Sequence, residues 1–225
     1  MADSLQQLIN AYNPAAPLDR ASTIPSTWYT DERVLELEKQ TVFSNSWQAA
    51  ARVDQLSKLG DYVTSDVADE PIVVVCGSDN QIRAFFNACR HHAAAVMTEA
   101  QGNCTQMRCP YHGWTYSLEG ELKGTPDFAG VCQFDRASNG LMPIESAVWE
   151  QWVFVRIDSA PNVSIENWLG TQLTNEFREL SLNNLKWFER RSYTIDCNWK
   201  VFVDNYLDGG YHVPHLHKGL DSVLD

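Results

Sequence analysis

Two short segments constrain this chain more than any average does: Cys89-Arg90-His91 and Cys109-Pro110-Tyr111-His112. Each sets one thiol and one imidazole within a few residues, and seventeen residues, 92–108, lie between His91 and Cys109. Two thiolates and two imidazoles at such spacing form a metal ligand set. Hairpins flank them and suit the presentation of two loops to one centre. Ile72–Cys76, Gly77–Asn80 and Gln81–Phe86 read as strand, turn and strand. Trp114–Leu118, Glu119-Gly120 and Glu121–Lys123 read the same way.

Two cysteines on one iron and two histidines on the other make the ligand pattern of a Rieske [2Fe–2S] centre, with Cys89, His91, Cys109 and His112 as the ligands here. Neutral imidazoles carry less negative charge than thiolates, so reduction becomes easier. The potential then falls at roughly −150 to +300 mV, against about −400 mV for an all-cysteine plant-type ferredoxin. A structural zinc site accepts the same four donors and stays open as the alternative. Zinc fingers, however, pair Cys with Cys and His with His along the chain, whereas each loop here is mixed. The adjacent His92 reads as a solvated loop histidine rather than a ligand.

The chain has 225 residues, 17 basic against 29 acidic, for a formal charge of −12. This balance argues against nucleic acid or an anionic membrane as a partner. No apolar run approaches the ~18–20 residues of a membrane helix. Met1-Ala2-Asp3-Ser4 shows neither a basic nor an apolar leader region, so the six cysteines are read in a reducing cytoplasm. Cys76 and Cys197 sit in apolar stretches and are expected to be buried; Cys104 and Cys132 read as loop thiols.

Three segments follow. Residues 1–41 hold breakers at Pro14, Pro17 and Pro25, with an irregular stretch to 27 and then a helix capped by Thr30 and running to Glu38. Residues 42–158 are β-rich, with Asp61–Thr64 and Trp152–Ile157 as further strands. Pro161 marks a change of character, and in 159–225 Ser164 caps an amphipathic helix carrying Ile165, Trp168, Leu169, Leu173, Phe177 and Leu180. Trp199–Phe202 fits either a strand or a buried helix.

Near the C-terminus, His212, His215 and His217 fall within six positions, with Asp204, Asn205 and Asp208 upstream. Two imidazoles and one carboxylate on one face of Fe(II) leave positions open for O₂ and substrate. Taken alone, His-x4-His fits a polar surface turn; beside a one-electron carrier it fits an oxygenase.

Cys-x-His, seventeen residues, then Cys109-Pro110-Tyr111-His112-Gly113-Trp114 resembles the Rieske domain of ring-hydroxylating oxygenase α subunits. Respiratory Rieske proteins usually carry an extra cysteine in each loop, where this chain has Ala94 or its neighbours and Tyr111. Asn198-Trp199-Lys200, Asp204-Asn205-Tyr206 and His212-x4-His217 resemble the opening of the same family's catalytic domain. Asp204–Pro214 is most similar to choline monooxygenase-like members. The resemblance implies an α+β chain: a β-sandwich Rieske domain followed by the beginning of a helix-grip-like catalytic domain. It implies an oxidoreductase, with electrons from NAD(P)H reaching the cluster through a reductase, with or without a ferredoxin. It implies a mononuclear Fe(II) on His212 and His217, His215 as a neighbour, O₂ and a small organic substrate, and a homotrimer. A choline-like quaternary ammonium compound leads as substrate, ahead of an aromatic ring; a Rieske electron carrier and a non-catalytic homologue are the rivals.

Two positions depart from the family. The acid that bridges the two metal centres usually stands three residues before the first histidine, and that position is Gly209. Asp208 is the expected bridge, with a bulge at Gly209-Gly210, and Asp204 the reserve. The third iron ligand, a carboxylate, is expected far downstream; Asp221 and Asp225 are too near to match, so the chain reads as a fragment of a longer frame.

Overall fold

The computed structural model describes residues 3–158, 163–208 and 210–223. Pro161, Gly209 and Asp225 therefore lie outside the described residues. Chain contacts divide the protein into two compact units: one spans Lys39–Glu189, the other joins the segments up to Glu38 and from Arg190 on.

The Lys39–Glu189 unit holds ten strands: β1 Gln48–Arg52, β2 Asp61–Val67, β3 Glu70–Cys76, β4 Ile82–Phe86, β5 Gln101–Asn103, β6 Met107–Arg108, β7 Thr115–Tyr116, β8 Leu122–Gly124, β9 Pro143–Trp149 and β10 Trp152–Arg156. Seven form one antiparallel sheet in the order β1-β10-β9-β4-β3-β2-β5; a small sheet runs β6-β7-β8. Strand β3 lies inside the sheet, between β4 and β2, and its run Ile72-Val73-Val74-Val75 has no accessible surface. Both its faces are covered, which is why the apolar residues are continuous rather than alternating. Val73 and Val75 join Tyr62, Phe85, Met107, Trp114 and Tyr116 in one core. Ile72, Val74 and Cys76 join Val63, Ala84, Val153 and Val155 in the other. Each such side chain contributes roughly 1.5–3 kcal/mol on burial. The first core is also where Cys89 and Cys109 lie.

Helix α4, Ile165–Glu179, starts where Ser164 Oγ accepts the Asn167 N–H at 3.3 Å. It packs Ile165, Leu169 and Phe177 on Trp47 and Trp149. Gly170, at φ 79°, kinks it, and Trp168 and Leu173 stay partly exposed. The β character expected from Val42 is delayed. Lys39–Phe43 makes a π-helical turn, because both the Ser44 N–H and its hydroxyl bond Lys39 O, at 3.0 and 2.7 Å.

The other unit holds α1 Leu5–Asn10, α2 Thr27–Thr30, α3 Glu32–Glu38, α5 Trp199–Leu207, α6 Val213–Leu216 and α7 Lys218–Asp221. Helix α1 corrects the irregular reading of residues 1–27. A capping box starts it, with Ser4 Oγ accepting from Gln7 N at 3.3 Å and Gln7 Oε1 from Ser4 N at 2.7 Å. Thr30 ends α2 instead of capping the next helix, which begins after Asp31. Trp199–Phe202 is helical, capped by Asn198 Oδ1 on the Lys200 N–H at 3.1 Å. Glu38 anchors α5 by accepting from Trp199 Nε1 at 2.8 Å and Lys200 Nζ at 2.7 Å. Cys197 is exposed, not buried, because its apolar neighbour Ile195 is itself 57% exposed and gives no cover. No helix among the described residues is long and apolar enough to cross a membrane.

Candidate metal centre

The two ligand loops are near copies of one another. In the first, Cys89 N donates to Ala94 O at 2.9 Å and Ala93 N to Cys89 O at 2.8 Å. In the second, Cys109 N donates to Trp114 O at 2.8 Å and Gly113 N to Cys109 O at 3.0 Å. Both turn through a left-handed residue four places after the cysteine, Ala93 at φ 57° and Gly113 at φ 74°. The second loop is the β6–β7 connection; the first follows β4 and is stapled at its base by Asn87. The Asn87 Oδ1 accepts from Val96 N and Met97 N at 3.0 and 2.9 Å, and its Nδ2 donates to Met97 O at 2.7 Å.

Of the four expected ligands, the two cysteines lie in one buried core and the two histidines stand side by side. Cys89 and Cys109 are free thiols, 4% and 2% exposed. The rings of His91 and His112 lie 4.7 Å apart. His91 Nδ1 is buried and has no hydrogen-bond partner. A buried imidazole nitrogen without a partner costs free energy unless a metal takes it, so the donor set fits a [2Fe–2S] cluster. Burial, then His92 and His112, hold His91 below the ordinary imidazole range, which keeps it in the neutral form a metal requires. Exposed His92 also sits close, its ring 4.0 Å from that of His91. Among the described residues only His91, His92 and His112 offer three His, Cys or carboxylate atoms within 4.8 Å of one another. A cavity of about 790 Å³ opens beside the loops between Tyr111, Trp114 and Phe128.

Three residues at this site carry no role in the motif reading. Asn87 holds the first loop. Tyr116 Oη lies 3.3 Å from Cys89 Sγ and accepts the Arg90 N–H at 3.0 Å. Burial first, then Cys89, push the Tyr116 hydroxyl above its ordinary range, so it stays protonated. Trp114 stacks on His91. Tyr116 and Trp114 stand four and two places after His112, a position signal that becomes meaningful only once the loop geometry is known.

In the other unit, His212 precedes α6 and His217 follows it, so one short helix brings their rings to 5.3 Å at 79°. Asp208 hydrogen-bonds His212 Nδ1 and accepts the Gly210 N–H at 2.8 Å. The His212 bond, above all, holds the Asp208 carboxyl below its ordinary range. Asp204 is engaged elsewhere, accepting the Tyr29 hydroxyl, and Asn205 is exposed on α5. His215 lies against Tyr211, with ring centroids 5.8 Å apart. A facial iron site needs three ligands, and the expected pair His212 and His217 stand side by side.

Paired mixed loops at the edge of two antiparallel sheets define an iron–sulfur protein of the Rieske type. The Rieske [2Fe–2S] domain model matches residues 46–135, and the ring hydroxylating alpha subunit catalytic domain model matches 182–225. The chain belongs to the Rieske oxygenase α-subunit family, and it comprises the Rieske domain and the start of the catalytic domain. It is 40% identical to the chloroplastic choline monooxygenase of Arabidopsis thaliana, over 98% of this chain and 54% of the relative. The carnitine monooxygenase oxygenase subunit of Escherichia coli K12 is 35% identical over 94% of this chain and 56% of the relative. A crystal structure of a quaternary ammonium Rieske monooxygenase with L-carnitine superposes with a TM-score of 0.83 at 30% identity, covering 91% of this chain and 58% of the other. The chain thus spans about half the length of the curated relatives it matches.

Proposed function

We propose that this chain carries the electron-accepting half and the opening of the catalytic half of a monooxygenase that hydroxylates a choline-like quaternary ammonium compound. The carrying observation is a buried cysteine followed by a histidine on each of two alike loops, with the His91 and His112 rings 4.7 Å apart, in a chain that also sets His212 beside His217. When bound, the cluster and a mononuclear iron would supply one-electron transfer and O₂ activation. Cys89, His91, Cys109 and His112 would hold the cluster, within a Rieske module over 42–158; His212 and His217 would hold the iron, in the module that opens at 159. Asp208 keeps the His212 proton on Nδ1, which leaves Nε2 as the nitrogen for a metal. Its bond to His212 supports Asp208, rather than the reserve Asp204, as the carboxylate that links the two centres. A third, carboxylate ligand would come from outside these residues.

The identities favour a quaternary ammonium substrate. They reach 40% with choline monooxygenase, against 28% with a naphthalene 1,2-dioxygenase structure from Rhodococcus. We place the enzyme in the cytoplasm as a homotrimer that takes electrons from NAD(P)H through a reductase, directly or by way of a ferredoxin. The test is His212→Ala in the full-length oxygenase, assayed with choline, carnitine and naphthalene. Oxidation of the ammonium substrates should be lost along with one iron per chain, while the Rieske EPR signal remains. Unchanged iron content would remove the second site; turnover of naphthalene alone in the unsubstituted enzyme would move the substrate to the aromatic class.

A further inference from the structure

Ligation through one ring nitrogen places an imidazole but leaves it free to rotate about the metal–nitrogen bond. Metal-bound histidines are usually held against that rotation by a hydrogen bond from the other nitrogen. His91 Nδ1 is buried without a hydrogen-bond partner among the described residues. Packing against the face of a ring restrains the same rotation. The Trp114 indole lies over the His91 ring, 6° from parallel, with centroids 4.7 Å apart. Every other ring pair around the ligands is tilted by 35° or more. Trp114 is itself 4% exposed and braced from behind. Phe128 meets it edge-on at 5.7 Å and 90°, Phe134 at 5.8 Å and 70°, and the two phenyl rings meet at 4.8 Å. The main chain of Trp114 meanwhile closes the opposite loop through its bond from Cys109 N. The second ligand histidine lacks such a wall: His112 lies against Tyr111, which is tilted 35° and 65% exposed.

We infer that Trp114 is a positioning residue that sets the ring plane of His91 and keeps water from that face, with Phe128 and Phe134 as its braces. The inference rests on the cluster reading of the two ligand loops. Its consequence is an asymmetric pair of histidine ligands, one fixed by an aromatic plate and one facing outward. Loosening the plate broadens the distribution of His91 orientations. It also admits water, which favours the singly negative reduced cluster over the neutral oxidised one.

The experiment compares Trp114→Phe and Trp114→Leu in the full chain, after iron and acid-labile sulfide have been measured for the unsubstituted protein. Phenylalanine keeps a flat ring and should retain the EPR linewidths and midpoint potential. Leucine fills space without a plate; it should broaden the g-features of the reduced cluster and shift the potential upward. Equal linewidths and potentials in both variants, with only a lower melting temperature, would overturn the inference. Should the leucine protein fail to load, Phe128→Leu removes a brace without touching the ligand loops. It should broaden the signal in the same direction by less, and wild-type lines there would overturn the inference equally. Zinc without sulfide in the unsubstituted chain would instead defeat the cluster reading, a separate failure.

Discussion

At the scale of single residues, the ligands are the least informative part of the centre. Cysteine and histidine announce themselves by type and spacing; the residues that tune them do not. Tyr116 is the clearest case, since its hydroxyl is buried within 3.3 Å of Cys89 Sγ. With the sulfur bound as thiolate, that hydroxyl is the donor, and a hydrogen bond to a cluster sulfur stabilises the more negative, reduced state. Tyr116→Phe should therefore lower the reduction potential and leave the cluster loaded, as read by a redox titration followed by EPR. An unchanged potential would show that the hydroxyl does not donate to the sulfur. The loop turns obey the same logic of small groups in demanding places. A Cβ on Gly113 would stand 3.2 Å from Pro126 Cγ at a positive φ, whereas Ala93 carries its Cβ in the matching turn of the other loop.

Among the elements, α5 shows how a short helix is held where its sequence is ambiguous. Trp199-Lys200-Val201-Phe202 has the β-branched and aromatic character of a strand, yet it is helical. Asn198 supplies the cap, and α3 supplies Glu38, whose carboxylate takes both the Trp199 indole and the Lys200 ammonium. The Lys200 and Glu38 side chains are only 9% and 11% exposed. Removing one member of such a pair leaves a buried charge uncompensated, at about 3–5 kcal/mol. Lys200→Met should cost that much in denaturant unfolding followed by circular dichroism, and Glu38→Gln with Lys200→Met should recover part of it. A loss below about 1 kcal/mol for the single variant would mean that the pair acts as an exposed salt bridge.

For the molecule as a whole, the contacts that matter join elements far apart in sequence. The Gly77–Asn80 turn between β3 and β4 is tied to the β7–β8 turn by Glu119. This side chain accepts the Ser78 hydroxyl at 2.5 Å and its N–H at 2.9 Å. These bonds, the hydroxyl first, lower the Glu119 pKa from 4.5 to about 2. A depressed carboxylate stabilises the fold above its unfolded pKa, and that contribution drains away as pH falls from 4.5 through 2. Ser78→Ala should thus lower the melting temperature at pH 7 and leave a smaller difference from the parent protein near pH 3. A difference that does not shrink on acidification would show that Ser78 acts through something other than the Glu119 charge.

The sequence by itself determined the ligand loops, most of the β-strands, the Ser164 cap and the family, because each is a local pattern of residue type and spacing. The capping box at Ser4–Gln7 is a local pattern of the same kind. Tertiary structure decided the helical state of Trp199–Phe202, the exposure of Cys197, the π-turn before β1 and the roles of Asn87, Trp114 and Tyr116. Asp208, the expected bridge, becomes the partner of His212 only when the chain bends back after α5. In each of these, the deciding contact comes from packing, from a side chain distant in sequence, or from a turn whose shape local residue type leaves open. Residue type names the chemistry available at a position, and the fold alone supplies the neighbour that selects it.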